Sequence, residues 1–336
     1  MDAVRPISSS TIRRRFIGAL IAASILFSLT GATQSWAQSE VPRIGILILS
    51  KDALARATYQ PFLRVLSERG WHPGKNVILE YRFARGERLR FEDAVEELVE
   101  LKVDIVVAFS APATRAAYAQ AGGIPIVALD YTNDPVAVGY ADRYSRPGKN
   151  LTGVFLDAPE FAGKWIQLLQ AIVPGLQRLA VLWDPAPGAM HLNALRSAAQ
   201  SFGLQLAIEE VRAPDDLEKA FLKLRGAQAL VILPSPMIWV HSGRLAELAL
   251  KYRLPATSFF REFADAGGAI AYGPDLSESL ERNAVQVAKI LAGAKPGDLP
   301  IERPTKFDFL INMKTIKALG LRVPDSLLPG AEQLGR

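Results

Sequence analysis

Ile44-Gly45-Ile46-Leu47-Ile48-Leu49 is an unbroken apolar run that ends in the polar triplet Ser50-Lys51-Asp52. A strand with one wet face alternates, whereas an uninterrupted run of this length is expected of a parallel strand covered on both sides. The residues beyond it supply a cover: Leu54, Tyr59, Phe62, Leu63 and Leu66 fall near a 3.6-residue period, with Gly70 as a stop. Val77 to Phe83 alternates as a second strand, and Phe91, Val95, Leu98 and Val99 form the apolar face of an acidic helix that leads into Asp104-Ile105-Val106-Val107-Ala108-Phe109. The pattern then repeats. Ser110-Ala111-Pro112-Ala113-Thr114 reads as a helix cap with Pro in the first turn, and Ile124-Pro125-Ile126-Val127-Ala128-Leu129 follows as the next strand. Such alternation predicts a doubly wound parallel sheet with right-handed crossovers.

The rhythm breaks at Arg146-Pro147-Gly148-Lys149-Asn150, and a second alternation begins with a helix from Pro159 to Val173. Strands are expected at Leu179 to Trp183, Leu204 to Val211, Ala229 to Leu233 and Ala256 to Phe259. Helices separate them, one carrying Leu217, Phe221 and Leu224. Leu276, Leu280, Ala284, Val287 and Leu291 make a further amphipathic helix. Lys295-Pro296-Gly297-Asp298-Leu299-Pro300 reads as a linker and Phe307 to Ile311 as a late strand. At 336 residues the chain exceeds what a single core usually organises, in keeping with two lobes that share architecture and not sequence.

With no Cys, the chain has no disulfide framework, thiolate nucleophile, cysteine zinc site, iron–sulfur cluster or lipid-bearing cysteine. Its formal charge of +5 is concentrated at one end: residues 1–37 hold Arg5, Arg13, Arg14 and Arg15 against Asp2, a net +3, which leaves +2 for the rest. No later stretch interleaves dense Lys and Arg with aromatics, so no nucleic-acid partner is expected. The basic trio Arg13 to Arg15, the uncharged run Phe16 to Leu29 and the ending Ser35-Trp36-Ala37 read as an export signal cleaved after Ala37, with either general secretion or twin-arginine export open. The apolar run is shorter than a spanning helix needs. A periplasmic location without a lipid anchor follows as an expectation.

Catalytic arrangements are missing from the sequence. His72, His191 and His241 stand apart, each read as a surface or loop residue, and no metal site is expected. There is no G-x-S-x-G elbow and no phosphate-binding glycine loop, so neither catalytic residues nor a cofactor are assigned. The strand ends instead offer groups that could grip a small ligand, where open α/β sheets hold theirs. From the first lobe these are Ser50, Ser110, Thr114, Asp130, Tyr131 and Asp134; from the second, Trp183, Asp184, Ser235, Phe259, Phe260 and Glu262. Hydroxyls beside helix N-termini suit a carboxylate, the acids suit an ammonium group, and the rings suit an apolar or aromatic body. Each residue also has a plainer reading as cap, turn former or core.

Asp134-Pro135-Val136, Arg146 to Gly153, Val173-Pro174-Gly175 to Trp183, Arg253-Leu254-Pro255-Ala256, Arg261-Glu262-Phe263 with Ala266-Gly267-Gly268, Tyr272-Gly273-Pro274-Asp275-Leu276, Pro304-Thr305-Lys306-Phe307 to Asn312, and Lys317 to Leu321 occur in one order along the chain. Together they resemble the substrate-binding proteins of ABC importers in the tryptophan/tyrosine-type group. The resemblance spans nearly all of the chain after Ala37. It implies an α/β type I periplasmic-binding fold: two doubly wound parallel-sheet lobes joined by a three-crossover hinge, with the ligand cleft between them. It further implies residues 41–153 plus 275–300 in lobe 1, 154–274 plus 301–330 in lobe 2, and a hinge near Gly153, Pro274 and Pro300. The partners implied are a small molecule of the amino acid or aromatic carboxylate class and a permease with a separate ATPase subunit, met by a monomer without turnover. Relatives often carry a lipid-bearing Cys, which this chain lacks. A sensory module coupled to a membrane receptor, or an exported α/β enzyme, remains an alternative at this point.

Overall fold

The computed structural model describes residues 41–49, 58–84, 91–156 and 160–335. The expected export segment and Ser50 lie outside them.

Five parallel strands form the first sheet: β1 (Arg43–Ile48), β2 (Ile78–Phe83), β3 (Ile105–Phe109), β4 (Ile126–Asp130) and β5 (Leu151–Phe155), in the order β2-β1-β3-β4-β5. The apolar runs are the buried strands. Every residue of β3, β4 and β5 is buried, as is all of β1 after Arg43, whereas β2 at the sheet edge is half-buried throughout. That difference explains why β2 alone alternates in sequence. Helices α1 (Gln60–Glu68), α2 (Glu92–Glu100) and α3 (Ala111–Gln120) connect the strands. Side chains of α2 and α3 close one face of the sheet, and those of α1 the other.

The second sheet has the order β12-β11-β10-β9-β8-β6-β7. Its strands β6 (Arg178–Trp183), β7 (Gln205–Glu210), β8 (Ala229–Ile232), β9 (Ala256–Ser258) and β10 (Ile270–Pro274) are parallel. Between and beside them run α4 (Glu160–Ile172), α5 (Met190–Ser201), α6 (Asp216–Lys223), α7 (Pro236–Val240), α8 (Ser242–Lys251) and α9 (Arg261–Asp265). After β10 the chain leaves this sheet, and α10 (Leu276–Leu291) packs on β4, β5 and α1 of the first. It then returns as β11 (Phe307–Asn312), which pairs antiparallel with β10, and ends with α11 (Met313–Ala318) and β12 (Glu332–Leu334). Among the described residues, the β10–β11 pair is the one departure from parallel pairing in the two sheets. The chain therefore passes between the sheets three times.

The crossings are tied together by backbone and buried polar groups. Gly153 has φ +148°, and a Cβ there would lie 2.0 Å from the Ala128 carbonyl oxygen, so only glycine lets β4 and β5 approach this closely. Its carbonyl accepts from Glu302 N–H at 2.9 Å, and Phe155 N–H donates to the Glu302 carbonyl at 3.0 Å, which lays the third crossing beside β5. The Glu278 carboxylate, in the first turn of α10, accepts from the Arg282 guanidinium (2.9 Å), Thr305 N–H (3.0 Å), Lys306 N–H (2.9 Å) and the Thr305 hydroxyl. Burial opposes its ionisation, but these donors outweigh burial and hold the group down at about 2.

Candidate functional site

Residues at the carboxyl ends of strands from both sheets line one cleft, with an empty volume of about 660 Å³ including the part open to solvent. Leu49 follows β1, Phe109 and Ser110 end β3, and Tyr131 and Thr132 follow β4. Pro187, Ser235, Trp239 and Phe260 come from the second lobe, and Leu276 from the start of α10. Thr58 and Tyr59 complete the wall ahead of α1. The lining is apolar with a few hydroxyls: Tyr59 stacks on Phe109 at 4.8 Å between centroids, and among the described lining residues there is no Asp, Glu, Lys, Arg or His. The described residues also contain no group of three or more His, Asp or Glu that could hold a metal ion.

Four of the residues singled out from sequence line this cleft: Ser110, Tyr131, Ser235 and Phe260. Ser110 caps α3, its Oγ accepting from Ala113 N–H at 3.3 Å. Ser235 caps α7 in the same way, its Oγ accepting from Ile238 N–H at 3.0 Å. Tyr131 supplies a buried ring.

The other named residues stand behind or beside the lining. Thr114 is fully buried and donates from Oγ1 to the Ser110 carbonyl at 2.9 Å. Asp130 is likewise buried and accepts from Thr132 N–H (2.8 Å), the Thr132 hydroxyl (2.9 Å) and Asn133 Nδ2 (2.7 Å), while burial pushes its carboxyl upward against those bonds. Asp184 accepts from Ala186 N–H at 2.9 Å and is also raised by burial. Asp134 accepts from Val136 N–H at 2.9 Å within its own turn. Phe259 is 1% exposed and meets Tyr131, Phe161 and His191 at 5.6, 5.7 and 5.8 Å between ring centroids. Trp183 is half-buried against the same apolar cluster, and Glu262 lies in the first turn of α9, outside the lining. One expectation is corrected: His191 is a core residue, 5% exposed, whereas His72 is exposed and His241 half-buried.

Tyr59, Phe109, Pro187 and Trp239 were not anticipated. Trp239 lies in α7, four residues beyond the Ser235 cap, and its buried Nε1–H has no partner among the described residues. A strand-end reading stops at the cap and misses what the next helical turn projects.

The two lobes touch across the cleft. His191 Nε2 bonds the Tyr131 carbonyl at 2.8 Å, Arg115 donates to the Ala186 carbonyl at 3.1 Å, and the Tyr131 and Phe259 rings meet. Two α/β lobes with three crossings and a cleft between their strand ends define the class of hinged, two-lobed solute-binding proteins of the type I periplasmic-binding fold. More particularly, the chain belongs to the ABC transporter substrate-binding protein family, whose sequence model matches residues 43–334. It is similar to a tyrosine-binding protein of Clostridioides difficile (strain R20291), with 23% identity over 285 residues that cover 83% of this chain and 81% of the relative. The structure of an ABC domain in complex with L-Trp from Streptococcus pneumonia superposes with a TM-score of 0.79 at 19% identity, covering 88% of this chain and 99% of that one. A ligand-free, open substrate-binding protein with adhesive properties from Clostridium difficile gives 0.62 at 20% identity, covering 88% and 100%. Proteins of this family work outside the cytoplasm.

Proposed function

We propose that the chain captures a small organic molecule with an aromatic or apolar body and a polar head, an aromatic amino acid or aromatic carboxylate, and hands it unchanged to a membrane permease served by a separate ATPase subunit. The observation that carries this is the cleft itself: its aromatic and hydroxyl-bearing walls come from both lobes, so a bound molecule stabilises the closed form through contacts that exist only when both lobes engage it. Ser110, Tyr131, Ser235 and Phe260 are the contacts we assign among those singled out from sequence, with Tyr59 and Trp239 as further ring partners. The tyrosine- and L-Trp-binding relatives support the ligand class. We place the mature protein, cleaved near Ala37, as a monomer free in the periplasm.

Purified protein beginning after Ala37 should gain thermal stability with L-tryptophan, L-tyrosine or a simple aromatic acid, because a ligand that binds only the folded state raises Tm by mass action. The compound should be recovered intact. No shift with any of the three, or conversion of the compound, overturns the reading.

A further inference from the structure

We propose that Tyr59 selects the ligand by its ring substituent: its phenol pairs with a hydroxyl on the ligand's ring, so the preferred aromatic ligands are hydroxylated ones. The inference deepens the function proposed above and rests on it. Tyr59 stands immediately before α1, and its carbonyl accepts from Leu63 N–H at 3.1 Å, which fixes it to the first turn. Its ring lies on Phe109, 4.8 Å between centroids and 15° from parallel, and Phe62 meets Phe109 edge-on at 5.5 Å. Stacking fixes the plane of the ring, and with it the position of the phenol oxygen.

Tyr59 is 9% exposed and lines the cleft, yet among the described residues its hydroxyl forms no hydrogen bond. Four other hydroxyls of the wall are engaged or sealed. Thr132 donates to Asp130 at 2.9 Å, Ser110 and Ser235 accept from N–H groups of the helices they cap, and the Tyr131 oxygen is closed off from solvent. The Tyr59 oxygen is not closed off in this way. Burial keeps its phenol protonated far above the ordinary range, so the group is an uncharged donor and acceptor. A polar group left unpaired in an apolar wall is costly until something pairs with it. Leu49, Phe109 and Leu129 of the same wall present only apolar side chains, so the partner comes with the ligand. A carboxylate would surrender its water there for one hydrogen bond. A ring hydroxyl is neutral and can both donate to the phenol and accept from it.

Calorimetry with two matched pairs, L-tyrosine against L-phenylalanine and 4-hydroxyphenylacetate against phenylacetate, isolates the ring hydroxyl. In each pair that binds, the hydroxylated member should bind about tenfold more tightly, since a site left with an unpaired hydroxyl rejects the analogue that lacks the partner. Tyr59→Phe should abolish that difference by weakening the hydroxylated ligand alone. A ring with a merely structural role would instead weaken both members alike. The ligand-free Tyr59→Phe protein should melt no lower than the parent, because it loses no internal bond. Equal binding within a pair, a preference that survives Tyr59→Phe, a loss shared by both members, or a lower Tm of the ligand-free variant overturns the assignment and leaves the function proposed above standing. Binding of none of the four, with L-tryptophan also failing to bind, removes that function and this inference with it.

Discussion

Ser110 and Thr114 lie one helical turn apart, yet only Ser110 reaches the cleft; Thr114 spends its hydroxyl on the turn between them. The same division separates the neighbours Phe259 and Phe260, one in the inter-lobe core and one in the wall. Among the wall residues, Trp239 has the largest ring and an N–H without a partner among the described residues. Trp239→Ala should therefore weaken binding of L-tryptophan at least tenfold by calorimetry, the loss of one aromatic contact of roughly 1.5 kcal/mol. The Tm of the ligand-free variant should fall by less than a core truncation would cause, because the ring is only half-buried. An unchanged affinity would remove Trp239 from the site. Sequence indicated the neighbourhood and part of the lining but not which way each side chain turns, for a physical reason. A carboxylate at a strand end can be a ligand contact or can accept from its own turn, and Asp130, Asp134 and Asp184 all do the latter. Composition at one position does not distinguish these outcomes; the direction of the side chain does. His191 shows the converse, because an isolated His in sequence gives no sign that Trp165 and Phe259 will enclose it.

Buried parallel strands were the most legible elements, since covering both faces leaves continuous apolar runs such as Ile44 to Leu49 and Ile105 to Phe109. β5 was harder to see. Leu151-Thr152-Gly153-Val154-Phe155 carries a polar residue and a glycine, and both are explained only by partners distant in sequence: Thr152 donates to the Leu299 carbonyl at 3.0 Å, and Gly153 admits the Ala128 carbonyl. The amphipathic stripe of α10 was plain, but which sheet it covers depends on long-range polar bonds. Asn283 Nδ2 donates to the Ala128 carbonyl at 3.1 Å, Gln286 Nε2 to the Pro300 carbonyl at 3.2 Å, and Glu278 anchors residues 305 and 306. Because the Glu278 carboxyl is held near 2 in the fold, its contribution is complete above the unfolded value of 4.5 and is lost as pH falls toward 2. Glu278→Gln should be about 2 kcal/mol less stable than the parent at pH 7 in urea melts, with the gap closing between pH 4.5 and 2. A gap that stays constant across that range would mean that the charge does not fasten this crossing.

At the scale of the molecule, two sheets need not imply two folding units. The largest apolar cluster runs without interruption from Ile44, Phe62 and Leu66 of the first lobe, through Leu280, Ala284 and Val287 of α10, to Phe161, Trp165 and Phe259 of the second. Helix α10 makes this continuity possible, because it follows a strand of one lobe yet packs on the other. Opening the cleft therefore wets the Tyr131–Phe259 and His191–Tyr131 contacts but leaves the α10 packing intact, so the hinge can move while the core persists. Unfolding one lobe, by contrast, would strip apolar cover from the other. Scanning calorimetry of the protein beginning after Ala37 should then show one endotherm whose calorimetric and van't Hoff enthalpies agree. An aromatic ligand should move that endotherm upward as a unit, since its contacts draw on both lobes. Two resolved transitions, or a ligand that shifts only part of the trace, would show that the lobes are thermodynamically separate and that the shared cluster is contact without coupling.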